Sequence, residues 1–137
     1  MRRYLLPLLA AVAMLCAGCA TDQRNQSLVT TLNAYASALR WGDFQNARQF
    51  VDPKVRDSSP LTPLDLARYR QVRVVGYDEG AGPVPDGELQ VRQVVQIGLV
   101  NINTQAERTV TDRQTWRFDP EKKRWWLTSG LPDITRE

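Results

Sequence analysis

The sequence predicts an α+β domain in which three N-terminal helices pack on a curved four-stranded antiparallel sheet. Apolar residues recur every three or four positions between Leu28 and Val51, the period of one helix face. From Tyr69 to Leu131 they recur mostly at every second position, the period of a half-buried strand. Helices first and strands afterwards is the order expected when helices gather on one face of an antiparallel sheet.

Ahead of the domain, residues 1–18 have the parts of a secretory signal: basic Arg2 and Arg3, an apolar run from Leu5 to Leu15, and small Ala17 and Gly18 before Cys19. The stretch Leu15-Cys16-Ala17-Gly18-Cys19 resembles the lipobox of bacterial lipoproteins, in which the cysteine is acylated and becomes the new N-terminus. That resemblance implies that Cys19 carries palmitate-class chains and holds the mature protein in a lipid bilayer. Cys16 stands where the lipobox favours Leu. Ala17-Gly18-Cys19-Ala20 also offers an ordinary small-x-small cleavage site, which would release a protein without lipid. The apolar run is well short of the ~20 residues that span a bilayer. Ala20 replaces the aspartate that in enteric-type bacteria resembles an inner-membrane retention signal, so the expected location is the outer membrane, facing the periplasm.

The segment 19–26 is polar and reads as a lipidated tether, leaving 27–137 as a single domain of a size that buries one core. The formal charge is +3, and loss of Arg2 and Arg3 with the signal would leave +1. That balance argues against a nucleic-acid partner, which calls for a strongly basic face. With Cys16 removed and Cys19 acylated, no thiol pair remains for an intramolecular disulfide.

Leu28, Leu32, Tyr35 and Leu39 share one face of the first helix, for which Ser27 is the expected N-cap and Trp41-Gly42 the stop. Asp43 caps a second helix with Phe44, Ala47, Phe50 and Val51 facing inward, and Asp52-Pro53 ends it. Lys54 to Leu61 reads as a loop. Thr62-Pro63-Leu64-Asp65 starts a short third helix, with a capping threonine, a proline where no amide donor is needed and a carboxylate in the first turn. Tyr69 to Tyr77 is the first strand, and the Gly- and Pro-rich segment 78–88 is a connection. Leu89 to about Asn103 is a long strand with a bulge expected at Val94-Val95, where two apolar residues adjoin. Glu107 to Phe118 and Arg124 to Leu131 complete the sheet around a turn at Asp119-Pro120-Glu121-Lys122-Lys123.

The helix pair with Tyr35-Ala36 and Trp41-Gly42-Asp43-Phe44, the bent long strands, and the closing Trp125-Trp126-Leu127 and Ser129-Gly130-Leu131-Pro132 resemble the nuclear transport factor 2-like (cystatin-related) domain of small bacterial lipoproteins. The resemblance implies a cone-shaped domain whose sheet can pair in a homodimer. Transport factors, isomerases, dehydratases and secretion-system components share this fold, so it does not choose a function.

The chain has no histidine. Triad and Cys-His nucleophilic chemistry and the usual zinc sites therefore lack their residues, and no phosphate-cradling glycine loop precedes a helix. Neither a metal nor a cofactor is expected. Asp112 stands out because alternation puts it on the strand face of Val110, Trp116 and Phe118, with Tyr35 able to look into the same space. An inward carboxylate beside a phenol suits proton transfer. The alternative is a carboxylate that meets water or pairs with Arg113, Arg92 or Arg73. Acidic Asp78, Glu79, Asp86 and Glu88 lack calcium-loop spacing and read as a solvated connection. Lys122-Lys123-Arg124 beside Trp125-Trp126 reads either as an anion-binding patch or as a wet turn and a core strand. Trp41 and Phe44 would extend an apolar partner patch if exposed. The expected function is a lipid-anchored, non-catalytic binding or assembly component of the cell envelope, with an envelope protein as partner. The alternative is a small-molecule-binding or proton-transfer site in the cone, using Asp112 and Tyr35.

Overall fold

The computed structural model describes residues 2–135, with side chains from residue 18 onward. Leu15, Cys16 and Ala17 of the lipobox therefore lie outside the described side chains. Helix α1 runs unbroken over Arg2–Arg40. The polar segment 19–26 is thus helical, and Ser27 is an interior residue whose carbonyl accepts from the Thr31 hydroxyl at 2.8 Å. No glycine or proline interrupts Ala20 to Arg40, so the domain's own first helix propagates backwards through the segment. The Trp125 indole, which donates to the Arg24 carbonyl at 3.2 Å, ties that segment to the sheet. Among the described residues no helix is long and apolar enough to cross a membrane.

The other end of α1 closes as the sequence predicts. Gly42 takes φ 72°, its amide donates to the Leu39 carbonyl and the Asp43 amide to that of Ala38, both at 2.9 Å, which satisfies carbonyls the helix end would leave bare. Asp43 then caps α2 (Phe44–Ala47) by accepting from the Asn46 amide at 2.9 Å, and a 3-10 turn follows over Arg48–Phe50.

The expected loop after Asp52 is instead a helix, α3 (Pro53–Ser58), so four helices precede the sheet among the described residues. Asp52-Pro53 ends one helical segment and begins the next: the Asp52 carboxylate accepts from the Lys54 amide at 2.9 Å, with proline in the first turn. Helix α4 (Pro63–Arg70) opens with the full capping box of Thr62 and Asp65.

Strands β1 (Val72–Asp78), β3 (Gln90–Asn101), β4 (Glu107–Asp119) and β5 (Arg124–Leu127) form a curled antiparallel sheet in the order β1-β3-β4-β5. A two-residue β2 (Val84–Pro85), inside the expected connection, pairs with β3 beyond the end of β1. β3 and β4 pair without a slip from Gln90↔Arg117 to Val100↔Glu107, so the bulge expected at Val94-Val95 is absent. Val94 keeps strict alternation and stays 45% exposed. The irregularity lies in β1 between Val74 and Gly76, where Gly76 faces Gly98 and a Cβ on Gly98 would come within 3.3 Å of the Gly76 nitrogen. The outer edge of β5 is covered, because Val51 bridges to Leu127 and the Asp52 amide donates to the Leu127 carbonyl at 2.9 Å.

The core fills the space between α1 and the inner sheet face: Leu32, Tyr35, Leu39, Val95, Ile97, Leu99, Val110, Trp116 and Leu127. Asp52 joins helices to sheet there. It is buried, caps α3 and binds Arg117 of β4 at 2.7 Å. Burial alone would raise its carboxyl, but the Arg117 bond and charge and the Lys54 amide hold it below the usual range. Its stabilisation is therefore present above the ordinary carboxylate pKa and fades as pH falls through the depressed one. Removing the Asp43 cap should cost ~1 kcal/mol. Asp52→Ala loses a cap and leaves Arg117 unpaired, so it should cost roughly 2–3 kcal/mol at pH 7. Urea unfolding of the two variants checks this, and equal losses would contradict the joining role of Asp52.

Candidate functional site

The register of β4 positions the site. Alternation turns Val110, Asp112, Gln114 and Trp116 toward the helices, and all four are buried. Gln93 and Val95 of β3 lie opposite Gln114 and Asp112 and are buried too. Three polar side chains thus stand in the middle of an inner sheet face, where an unmade hydrogen bond costs a few kcal/mol each.

Gln114 resolves most of this. Its Nε2 donates to Asp112 Oδ2 at 2.7 Å and to the Tyr77 hydroxyl at 3.0 Å. Its Oε1 accepts from the Trp116 indole at 3.1 Å and from Gln93 Nε2 at 3.2 Å. A side-chain amide has two donor hydrogens and two acceptor lone pairs, and all four are engaged.

Tyr35 approaches from the apolar stripe of α1 and is fully buried. Its ring meets Trp116 edge-on, with centroids 5.2 Å apart, and Phe50 at 5.8 Å. The Tyr35 hydroxyl and Gln93 Oε1 have no hydrogen-bond partner among the described residues. Burial pushes the Tyr35 phenol well above its ordinary pKa, and the charge of Asp112 adds to the effect. Burial likewise raises Asp112 to about 6, against the opposing bond from Gln114. Chemically, burial leaves a carboxyl pushed up to about 6 and a phenol held protonated, the phenol within the electrostatic influence of the carboxylate.

The Tyr35 ring is packed between those of Phe50 and Trp116. Depressions lie elsewhere: one of about 630 Å³ lined by Asp52, Lys54, Arg117, Glu121, Lys122 and Trp126, one of about 310 Å³ lined by Val51, Val55, Tyr69 and Leu131, and one of about 240 Å³ between α2 and α4, lined by Phe44, Leu66 and Tyr69. None of these three is lined by Asp112 or Tyr35.

Asp112 therefore faces inward, as alternation predicts, and the expectation that it meets water or pairs with an arginine is corrected. Arg92 binds Asp86 at 2.7 Å, while Arg73 and Arg113 are exposed. In the acidic connection, Asp78 accepts from the Gly80 amide and Asp86 also accepts from Gln90. Among the described residues no three His, Cys, Asp or Glu side chains gather as metal ligands. Trp125 and Trp126 are buried, with the Arg124 guanidinium 4.1 Å and the Lys122 ammonium 5.9 Å from the Trp126 ring centre, and Trp126 lines the 630 Å³ depression together with Lys54, Arg117 and Lys122. Phe44 is core and stacks on Tyr69 at 4.3 Å, whereas Trp41 is 86% exposed. Cys19 is exposed with a free thiol. Sequence reasoning missed Gln114, Gln93 and Tyr77. For Gln114 the signal was there, since it shares the parity of Asp112.

No family model matches the chain, and no curated protein matches it. Among solved structures it is similar to a SEC-C motif containing protein from Rhodopseudomonas palustris, at 16% identity and a TM-score of 0.49 over 75% of this chain and 76% of that one.

The raised carboxyl makes stability depend on pH with a definite sign. Folded Asp112 holds its proton to higher pH than the unfolded chain does, so its contribution is most favourable below about pH 4 and is lost as pH rises through about 6. Asp112→Asn keeps the size and an acceptor for Gln114 but cannot ionise. It should be more stable than the parent at pH 7.5, by up to roughly 3 kcal/mol, with the gap closing toward pH 4. Urea titrations across that range read it, and a gap independent of pH would show that Asp112 is not held in a desolvated site.

Proposed function

We propose that this protein is a lipid-anchored component of the bacterial envelope, acylated on Cys19 and facing the periplasm from the outer membrane. Its domain, in a cone-shaped nuclear transport factor 2-like arrangement, acts by binding or assembly rather than by catalysis. The observation that carries the non-catalytic reading is the filled interior: Tyr35 and Trp116 occupy the space that a substrate would need, and Gln114 spends its whole hydrogen-bonding capacity on its neighbours. The exposed thiol of Cys19, on a helical segment with the small residue Gly18 before it, is compatible with an acylating enzyme reaching it. The partner on this reading is an envelope protein or a second copy of the chain meeting through the sheet.

One observation favours the enzymatic alternative. Burial pushes Asp112 up to about 6, toward the range useful for a general base, and the buried Tyr35 hydroxyl is unpartnered among the described residues. That alternative requires the rings of Tyr35 or Trp116 to move aside, and a ligand that stabilises the parent but not Asp112→Asn would favour it.

Cys19→Ser tests the anchor. The parent should incorporate a fatty-acid analogue and enter the detergent phase, and the variant should do neither. Because one acyl chain alone binds a bilayer only marginally, the parent with several chains should resist release by salt. A variant that still labels and still partitions with membrane would refute the assignment of Cys19.

A further inference from the structure

The segment between Cys19 and the domain is a strut rather than a slack linker. Helix α1 continues through it, and the Trp125 indole fixes its Arg24 carbonyl to the sheet. On one side of the strut a cleft of about 240 Å³ opens against the β4–β5 hairpin, with Ala20, Gln23 and Arg24 on the helix facing Phe118, Pro120 and Lys123. At a rise of 1.5 Å per residue, Gln23 stands only ~6 Å along the axis from Cys19, whereas Trp41 at the far end stands ~33 Å away.

We infer that this end of the domain is itself a membrane-contact surface, with the β4–β5 hairpin seated on the phospholipid headgroups that surround acylated Cys19. The inference rests on the acylation proposed above and adds where the domain sits. An acyl anchor holds its cysteine at the bilayer surface, and a helix fixed to the hairpin one turn later leaves the hairpin no room to stand clear of that surface. The chemistry of the cleft suits the position. Its apolar lining comes from Ala20, Phe118 and Pro120, and its two charged members, Arg24 and Lys123, are both cations, which can lay their stems on apolar surface and reach lipid phosphates. The nearby Asp119 carboxylate is turned to the Glu121 and Lys122 amides at 3.0 and 3.2 Å. Asp22, Asp119 and Glu121 remain as opposing charges, so the contact is set by geometry and lining more than by net charge. The same geometry directs exposed Trp41 away from the bilayer.

The test uses the full acylated protein in vesicles of phosphatidylethanolamine and phosphatidylglycerol that contain a lipid spin-labelled at its headgroup. A fluorophore is attached either at Glu121→Cys, exposed on the hairpin and outside the cleft lining, or at Trp41→Cys at the far end of α1. The label at 121 should be quenched several-fold more strongly than the label at 41. Equal quenching in protein that floats with the vesicles overturns this inference and leaves the anchor standing. Protein that does not float, and lacks the acyl mass on Cys19, overturns the anchor and this inference together.

Discussion

The Gln114 amide is buried on the inner face of β4, and burial removes the water that would otherwise occupy its two donors and two lone pairs. The protein answers with Asp112, Tyr77, Trp116 and Gln93, drawn from three strands. Each of these bonds has a geometric consequence. The bond to Tyr77 needs β1 to return to the inner face after its irregularity at Val74, and the bond to Gln93 needs the unslipped register of β3 on β4. A one-residue slip of β4 would turn Gln114 and Asp112 to the outer face and bring their neighbours Arg113 and Thr115 inward, so the polar row specifies register as strongly as the apolar rows beside it. Isolated buried polar groups weaken a core, but a network in which the central member is fully satisfied holds one arrangement against its alternatives.

The edges of that network are less complete. Tyr35 and Gln93 each keep a buried polar atom without a partner, and Asp112 is a carboxyl in a place that penalises its charge. These are costs borne at the inner face, and they are what makes the pair resemble a proton-transfer site. Tyr35 and Trp116 are edge-on to each other and fully buried, so the space around the Tyr35 ring is filled by its neighbours.

Local chemistry was readable in the sequence wherever one signal had one outcome. Gly42 and Asp43 stop and restart a helix, and Thr62 with Asp65 closes a capping box, because those residues satisfy backbone groups that few others can. Asp52-Pro53 had two outcomes: it ends a helical segment and begins α3, and the sequence does not rank them. Adjoining valines occur at Val74-Val75 as well as at Val94-Val95. The irregularity falls at the first pair, near the Gly76 and Gly98 approach, a contact between strands that no local pattern reveals. The continuity of α1 through 19–26 was hidden for a similar reason, since polar composition resembles a tether until Trp125, a hundred residues on, is seen to hold it. Strand parity located Asp112 and would have located Gln114. Tyr77 needed the register of a different strand.

The central claim is that the space between α1 and the sheet is closed and organised by Gln114. Solvent exchange of the Gln114 side-chain amide protons and the Trp116 indole proton, followed by NMR at pH 7, tests it most directly. A closed interior requires these protons to exchange as slowly as the best-protected backbone amides of β3 and β4, through global unfolding. Exchange within the first spectrum, while those backbone amides stay protected, would mean that water enters this space freely and would contradict the account.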